Sequence, residues 1–436
     1  MWGAPLLVLL LGGGLYFFIY SRLIPLRHFG HGIRILRGKY DDPSEPGQIS
    51  HYQAVSTALA ATVGMGNVSG IAIAIATGGP GAIFWMWVSA LIGVSTKFFT
   101  CSLAVMYRGE DSEGNLQGGP MYVIKHGLKK YWHWLAIVFS LAGMIGVTPV
   151  FQANQLTQAI RDIILTPNGV ETGFTSDLIS GLIMAVIVIL VLFGGIKRIA
   201  KAAGLMVPLM VVVYVVAVLY ILVTNASEVL PGLKLIFTDA FSGNAVLGGA
   251  LGSLIVVGVR RAAFSNEAGI GTSPMAHGAA KTSEPIREGM AAMFEPIIDT
   301  IIVCTMTALA IIVTGAWMNP DLDGITLTAM AFEIGMPGVG QYILMVCVII
   351  FSVTTMFAFP YYGAKCFSFL FGAKYKVIYH IFYVAIIPIG ATSTLAAVIG
   401  LIDGAYATMA FPTMISAIIL SPKVIKAAKK YFAKHS

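Results

Sequence analysis

Charge is what this sequence has least of. Only 11 % of its 436 residues are Asp, Glu, Lys or Arg, where a water-soluble domain carries about 25 %. With 57 % hydrophobic residues and a mean hydropathy of +0.84, almost no chain is left for a separate soluble domain. The composition is that of a polytopic, all-α membrane protein. Cysteine is also scarce. Cys101, Cys304, Cys347 and Cys366 fall in or beside apolar stretches with no CxxC spacing, which argues against disulfides or a bound metal and for inert packing thiols. The histidines at 28, 31, 51, 126, 133, 277, 380 and 435 lie mostly in loops and form no metal-spaced cluster with cysteine. An enzyme needs a convergent nucleophile and base, and neither is visible. A channel needs a continuous polar stripe, and only a local polar cluster is present. The net charge of +7 is spread over six loops rather than one patch, so it suits anionic lipid and not nucleic acid.

What is abundant is apolar length. Hydropathy divides the chain into eleven stretches, roughly 4–24, 50–77, 81–107, 133–160, 178–195, 203–223, 243–259, 289–315, 339–364, 377–399 and 402–421, each near or above the ~20 residues that span a bilayer. Every second loop is basic. Of the 27 Lys and Arg, 24 fall on one side, in clusters at 22–39, 108–130, 197–201, 260–287, 365–376 and 423–434. Arg161 and Lys234 fall on the other, and Lys97 inside the third stretch. Cytoplasmic loops retain Lys and Arg, so the alternation predicts eleven spans, the amino terminus outside and the carboxyl terminus in the cytoplasm. The first stretch has its basic cluster after it rather than before, and reads as a retained helix and not a signal peptide.

Two dense glycine clusters stand apart among 48 glycines. One is Gly64-Met65-Gly66-Asn67-Val68-Ser69-Gly70; the other runs from Val257 to Gly271 and contains Phe264-Ser265-Asn266-Glu267-Ala268-Gly269. Glycine mixed with Asn and Ser favours a broken helix over simple close packing, and broken helices at membrane depth line cavities. With the first span set aside, spans two to six and seven to eleven form two sets of five, each opening on its broken helix. Five is odd, so the sets are inverted, which points to a secondary transporter with a midplane site. The predicted organisation is an extra helix and loop at 1–49, repeats at 50–224 and 225–421, and a basic tail at 422–436. The composition of the second cluster puts its break at Phe264–Gly271. The charges of Arg260 and Arg261, taken as near-cytoplasmic, favour instead unwinding near Gly258, with Phe264 closing the pocket from below.

The segments Ala58–Asn67, Gly78–Trp87, Gly118–Tyr122, Phe264–Gly271 and Tyr361–Cys366 resemble the alanine or glycine:cation symporter family over nearly the whole chain. The resemblance implies a leucine-transporter-like fold and a sodium-coupled importer of small neutral amino acids working by alternating access, in a prokaryotic plasma membrane. Where that family reads Gly-Trp-Ser-Tyr-Tyr-Gly-Glu-Lys-Cys, this chain has Ala358-Phe359-Pro360-Tyr361-Tyr362-Gly363-Ala364-Lys365-Cys366, and a Pro-Asn near the end is Pro412-Thr413. The first departure falls where the substrate pocket is expected.

The sodium site implied by this resemblance comprises the carbonyls of Ala60, Val63 and Phe351 and the hydroxyls of Thr354 and Thr355. Residues 351, 354 and 355 share a helical face, and a hard cation takes oxygen ligands. For the amino acid, the carboxylate would meet the N–H groups of Met65 and Gly66 at the start of a half-helix. Neither glycine cluster clearly places a carboxylate at the midplane, so carbonyls, Thr62 and Thr355 would receive the ammonium. The substrate site is completed by Gly64, Asn67, Gly258, Phe264, Phe359 and, by the resemblance, Gln152. The buried Glu295 and Asp299 lie one turn apart and either is expected to pair with Lys97 or a loop arginine. Asp403 reads as the start of the last helix. A proton-coupled transporter of the same fold, using Glu295, Asp299 or Asp403, is the alternative.

Overall fold

The computed structural model describes residues 2–192, 195–241 and 250–434. Residues 243–249, which open the seventh apolar stretch, residues 193 and 194 near the end of the fifth, and His435 lie outside the described residues. The chain is almost entirely helical; β1 (Gly109–Glu110) and β2 (Leu116–Gln117) form one small antiparallel hairpin in register Gly109 to Gln117. Among the described residues seven helices are long and apolar enough to cross a membrane, or eight with one broken pair counted as a span. Shorter apolar helices lie at Pro5–Tyr20, Phe174–Leu190 and Gly324–Gly335.

The helices that build the site are α1 (His51–Thr62), α2 (Met65–Gly78), α3 (Ala82–Met106), α4 (Val150–Ala159), α5 (Ala250–Asn266), α6 (Ser273–His277), α7 (the span Pro285–Val313), α8 (Gly340–Phe371) and α9 (Leu395–Ala433). Ser50 starts α1 through a capping box with Gln53, which satisfies two amides that a helix start leaves unpaired. The chain then turns extended at Val63 and Gly64, and α2 leaves at 42° to α1. Glycine is required here by contact: a Cβ on Gly64 would lie 2.6 Å from Thr355 Oγ1. Asn67 stabilises the break, its Oδ1 accepting from the Gly64 N–H at 2.8 Å.

The second break lies at 267–272, between α5 and α6. It is the position favoured by composition and not the one favoured by charge. Helix α5 runs unbroken through Gly258, where a Cβ would collide with Trp85 Cβ at 2.6 Å and Ala82 O at 2.7 Å. Gly258 is therefore a helix-packing residue against the start of α3. The helix stops because Glu267 (φ 55°), Gly269 and Gly271 take the left-handed region, which L-residues reach only at a cost of roughly 1–2 kcal/mol.

The basic loops that hold Arg108 and Lys125, Lys281 and Arg287, Lys365 and Lys376, and Lys423 meet one another. Arg108 donates to the carbonyls of Pro46, Gly278, Ala280 and Thr282, Arg287 pairs with Glu45, Lys125 lies over the Phe369 ring and Lys423 over Tyr107. Arg260 and Arg261 are the exceptions. They sit one turn from Gly258, in the half that packs on the start of α3, and both face Asp403. Asp403 is likewise not a helix start, since α9 begins at Leu395 with Thr394 as its cap. Arg261 is buried and both arginines pair with Asp403, so their charges do not mark a cytoplasmic loop.

Candidate functional site

Between the two breaks lies a narrow cavity of about 10 Å³, room for little more than a water. Thr62, Gly64, Met65 and Gly66 line it from the first break, Gln152 from α4, Phe264 from the end of α5, and Thr355 and Phe359 from α8. Two expected residues are not in the wall. Gly258 packs on α3, as above. Asn67 caps the first break and directs its amide nitrogen the other way, to Asp299 Oδ1 at 2.7 Å. Asp299 Oδ2 also accepts from Ser265 Oγ at 2.6 Å, so one buried carboxylate ties the first break to the end of α5. Asp299 is consequently not the partner of Lys97; Glu295 is, at 2.7 Å.

The wall also contains Glu267, Tyr406, Phe151, Thr148 and Ile402, which sequence reading missed as site residues. Glu267 is 2 % exposed, and its carboxylate accepts from the hydroxyls of Tyr406, at 2.6 Å, and Thr272. Each oxygen takes one hydrogen bond and retains accepting capacity. A signal for it was available: an ionisable residue inside a membrane segment is a site candidate by default. Phe264 is held in place by Phe151, edge-on at 4.8 Å between ring centroids, and by Tyr406 at 5.9 Å. The other polar members differ in role. Gln152 is buried and its Oε1 has no hydrogen-bond partner, which leaves an acceptor for a ligand. Asn154 bonds the carbonyls of Gly390 and Ser393 and acts as interhelical glue.

Beside the cavity, Thr355 Oγ1 lies 3.1 Å from both Ala60 O and Phe351 O, crossing from α8 to α1 at the break. Val63 is the extended residue next to Gly64. Thr354 Oγ1 bonds back to Ile350 O at 2.6 Å and Phe351 O at 3.1 Å, within its own helix. Among the described residues no group of three or more His, Cys, Asp or Glu is arranged to hold a metal ion. The oxygen donors gathered here are carbonyls and hydroxyls, the set a weakly charged hard cation takes.

Comparison with known proteins decides the family. The model of the sodium:alanine symporter family matches residues 1–436. The chain belongs to that family. The sodium/alanine symporter AgcS of Methanococcus maripaludis is 38 % identical over 437 residues, covering 99 % of this chain and 95 % of the relative. The probable sodium/glutamine symporter GlnT of Bacillus subtilis is 35 % identical, covering 99 % and 88 %. Among solved structures, MhsT in complex with L-phenylalanine superposes with a TM-score of 0.62 at 15 % identity, covering 86 % of this chain and 90 % of that one. The symporter thus has the leucine-transporter-like fold expected from its motifs. It is a multi-pass membrane transporter.

Proposed function

We propose that this symporter imports a small neutral amino acid together with Na⁺ by alternating access. The observation that carries this reading is the polarity of the cavity. On one side are the amides of Met65 and Gly66, the first residues of α2, which have no carbonyl one turn earlier to bond and sit at the positive end of the helix dipole. On the other is the Glu267 carboxylate. On this reading a zwitterion lies between them, its carboxylate on the amides and its ammonium on Glu267, in a cavity that has to widen from about 10 Å³ to take it. Phe151, Phe264 and Phe359 leave the side chain an apolar, size-limited space. Ala60, Val63, Phe351, Thr354 and Thr355 are the proposed sodium ligands. In the proton-coupled alternative the acids would be Glu295, Asp299 or Asp403, but Glu295 and Asp403 are held in ion pairs, which favours sodium.

The same reading has eleven spans in a 5+5 inverted arrangement behind the first helix. The amino terminus and Asp403 face outward, and the basic end faces the cytoplasm of a prokaryote. The test is thermal stabilisation of the purified protein by alanine, glycine, serine and glutamine, in Na⁺ and in choline at fixed pH. A ligand that binds only the folded state raises stability by RT ln(1 + [L]/Kd), so a small neutral amino acid is expected to stabilise strongly in Na⁺ and weakly in choline. Equal stabilisation in both salts, varying with pH, would return the proton-coupled reading.

A further inference from the structure

The fold carries a row of buried ionisable groups that the substrate cavity does not use. It begins at Lys97 on α3, whose Nζ meets Glu295 Oε2 at 2.7 Å. Glu295 Oε1 faces His277 Nε2 at 2.5 Å, and His277 Nδ1 faces Glu288 Oε2, also at 2.5 Å. Glu288 Oε1 in turn meets His51 Nδ1. Ser273 adds its hydroxyl to Glu295. None of the five ionisable side chains is more than 1 % exposed. The row ends at His51 Nε2, which is buried and has no hydrogen-bond partner. Asp41 Oδ1 is 3.9 Å from that nitrogen, and Asp41 is 38 % exposed. Asp41 lines an open surface pocket of about 200 Å³ together with Asp42, Ser50, Gln53 and Lys281.

The placement of these groups gives the row a mechanical meaning. His51 is the first residue of α1 and His277 the last of α6. These are the two half-helices on the basic side of the two breaks. Glu288 and Glu295 lie on α7 and Lys97 on α3, which do not contain either break. Both half-helices are therefore tied to α7 through a histidine, His277 to Glu288 and Glu295 and His51 to Glu288 alone. Helix α1 runs from His51 to Thr62 in the cavity wall, so movement of its His51 end against α7 bears on that end of the cavity.

We propose that His51 is a proton-binding site, reached from the basic face, whose occupancy latches α1 onto Glu288 and closes that end of the cavity. With both ring nitrogens protonated, Nδ1–H donates to Glu288 as a charge-assisted bond and Nε2–H points toward Asp41 and the pocket. When the Nε2 proton leaves through the pocket, the neutral ring still donates from Nδ1, but the ion pair is gone, and charge-assisted bonds are roughly twice as strong as neutral ones. The charged groups facing His51 are Glu288 from α7 and Asp41 from the loop before α1, opposed by Arg287 on α7 and by Lys281 across the pocket. Glu288 and Asp41 are the two that meet the ring itself. The latch is full below the titration of His51 and lost above it, so acid on the basic face keeps that face closed.

The test reads opening directly and needs no transport, so it stands whether or not the substrate is an amino acid. Ala54 on α1 is buried against Ala279 and Ala280. Maleimide labelling of the full chain carrying Ala54→Cys is compared with that of Ala54→Cys/His51→Gln, with the parent chain, whose four thiols are buried, as background. Intrinsic thiol reactivity cancels in the ratio of the two rates. The ratio is expected to be roughly tenfold at about pH 6 and near one at about pH 8.5, the range in which histidine titrates. As a second arm, Asp41→Asn, which removes an exposed carboxylate, should move the pH midpoint of Ala54→Cys labelling downward, because the proton loses a stabilising neighbour. A ratio that is the same at both pH values, or an unmoved midpoint in Asp41→Asn, overturns the proposal.

Discussion

Asp403 accepts two hydrogen bonds from one nitrogen of Arg261, at 2.8 and 2.6 Å, across 142 residues of sequence. The pair is buried and lies directly behind the cavity wall: Ile402 and Tyr406 flank Asp403 on α9, and the Arg261 guanidinium is 5.3 Å from the Phe264 ring centroid. Arg260 adds a longer contact of 3.7 Å to the same carboxylate. In the alternating access proposed above, this pair would close the cavity at the end opposite the basic loops. The row from Lys97 to His51 would be its counterpart at the other end, and on that proposal the two are not broken together.

The first prediction concerns that pair. Asp403→Asn leaves a buried guanidinium without its counter-charge, and breaking a buried pair in this way costs about 3–5 kcal/mol. The single variant is expected to unfold at clearly lower temperature in detergent. Arg261→Met combined with Asp403→Leu, which removes both charges, should recover most of the loss. A double variant no more stable than the single one would show that the pair is not the source of the effect.

Cation coupling should divide the two threonines. Thr355 Oγ1 bridges two helices at Ala60 O and Phe351 O, whereas Thr354 Oγ1 is engaged within its own helix. Thr355→Val is expected to raise the Na⁺ concentration for half-maximal uptake more than Thr354→Ala does, both at unchanged expression. Unchanged Na⁺ dependence in both variants would remove this site from the mechanism.

At the first break the structure predicts a graded steric series. A Cβ on Gly66 would already lie 3.3 Å from the Phe264 ring, so Gly66→Ala should weaken substrate binding and Gly66→Leu abolish it while the protein still inserts. Wild-type uptake by Gly66→Leu would reduce the glycine to a packing role.

Glu267 offers a test of the zwitterion. Glu267→Gln keeps the volume, can accept from one of Tyr406 and Thr272 through its oxygen and donate to the other hydroxyl through its NH2, but loses the charge opposite the ammonium. Hydrogen bonds to charged groups contribute about 1.5–3 kcal/mol, so the dissociation constant measured by direct binding should rise roughly ten- to a hundredfold. An affinity within a factor of two of wild type would place the ammonium elsewhere.

Specificity should follow Phe359. Phe359 lines the cavity and its neighbour Ala358 does not, so only the loss of the family's indole acts on the pocket, and the extra methyl of Ala358 acts elsewhere. The pocket is expected to accept serine, cysteine or threonine besides alanine and glycine, and Phe359→Trp to narrow that range. The preference should be graded, since one methylene changes binding by only about 1–3 kcal/mol. Competition of labelled alanine uptake by a series of neutral amino acids, in wild type and Phe359→Trp, checks this; identical inhibition profiles would take position 359 out of the pocket.

The sequence alone determined the membrane class, the family motifs and the first break. Hydropathy and glycine density are local properties, and a segment such as Gly64–Gly66 declares itself without knowledge of its neighbours. The second break was legible in the same way, in the composition of Phe264–Gly271, and was misplaced only when the charges of Arg260 and Arg261 were read as solvent-facing. What the tertiary structure decided was which charges are paired. Arg261 finds Asp403, Lys97 finds Glu295, and His51 and His277 meet Glu288, over separations of 11 to 237 residues. The cost of burying an ion depends on whether a counter-ion is within reach, and that is fixed by the packing of helices far apart in the chain. Glu267 belongs to the same class. Its place in a run of glycines was visible from the start, but only the meeting of α9 with the second break puts Tyr406 against it and turns its carboxylate into the wall of the cavity.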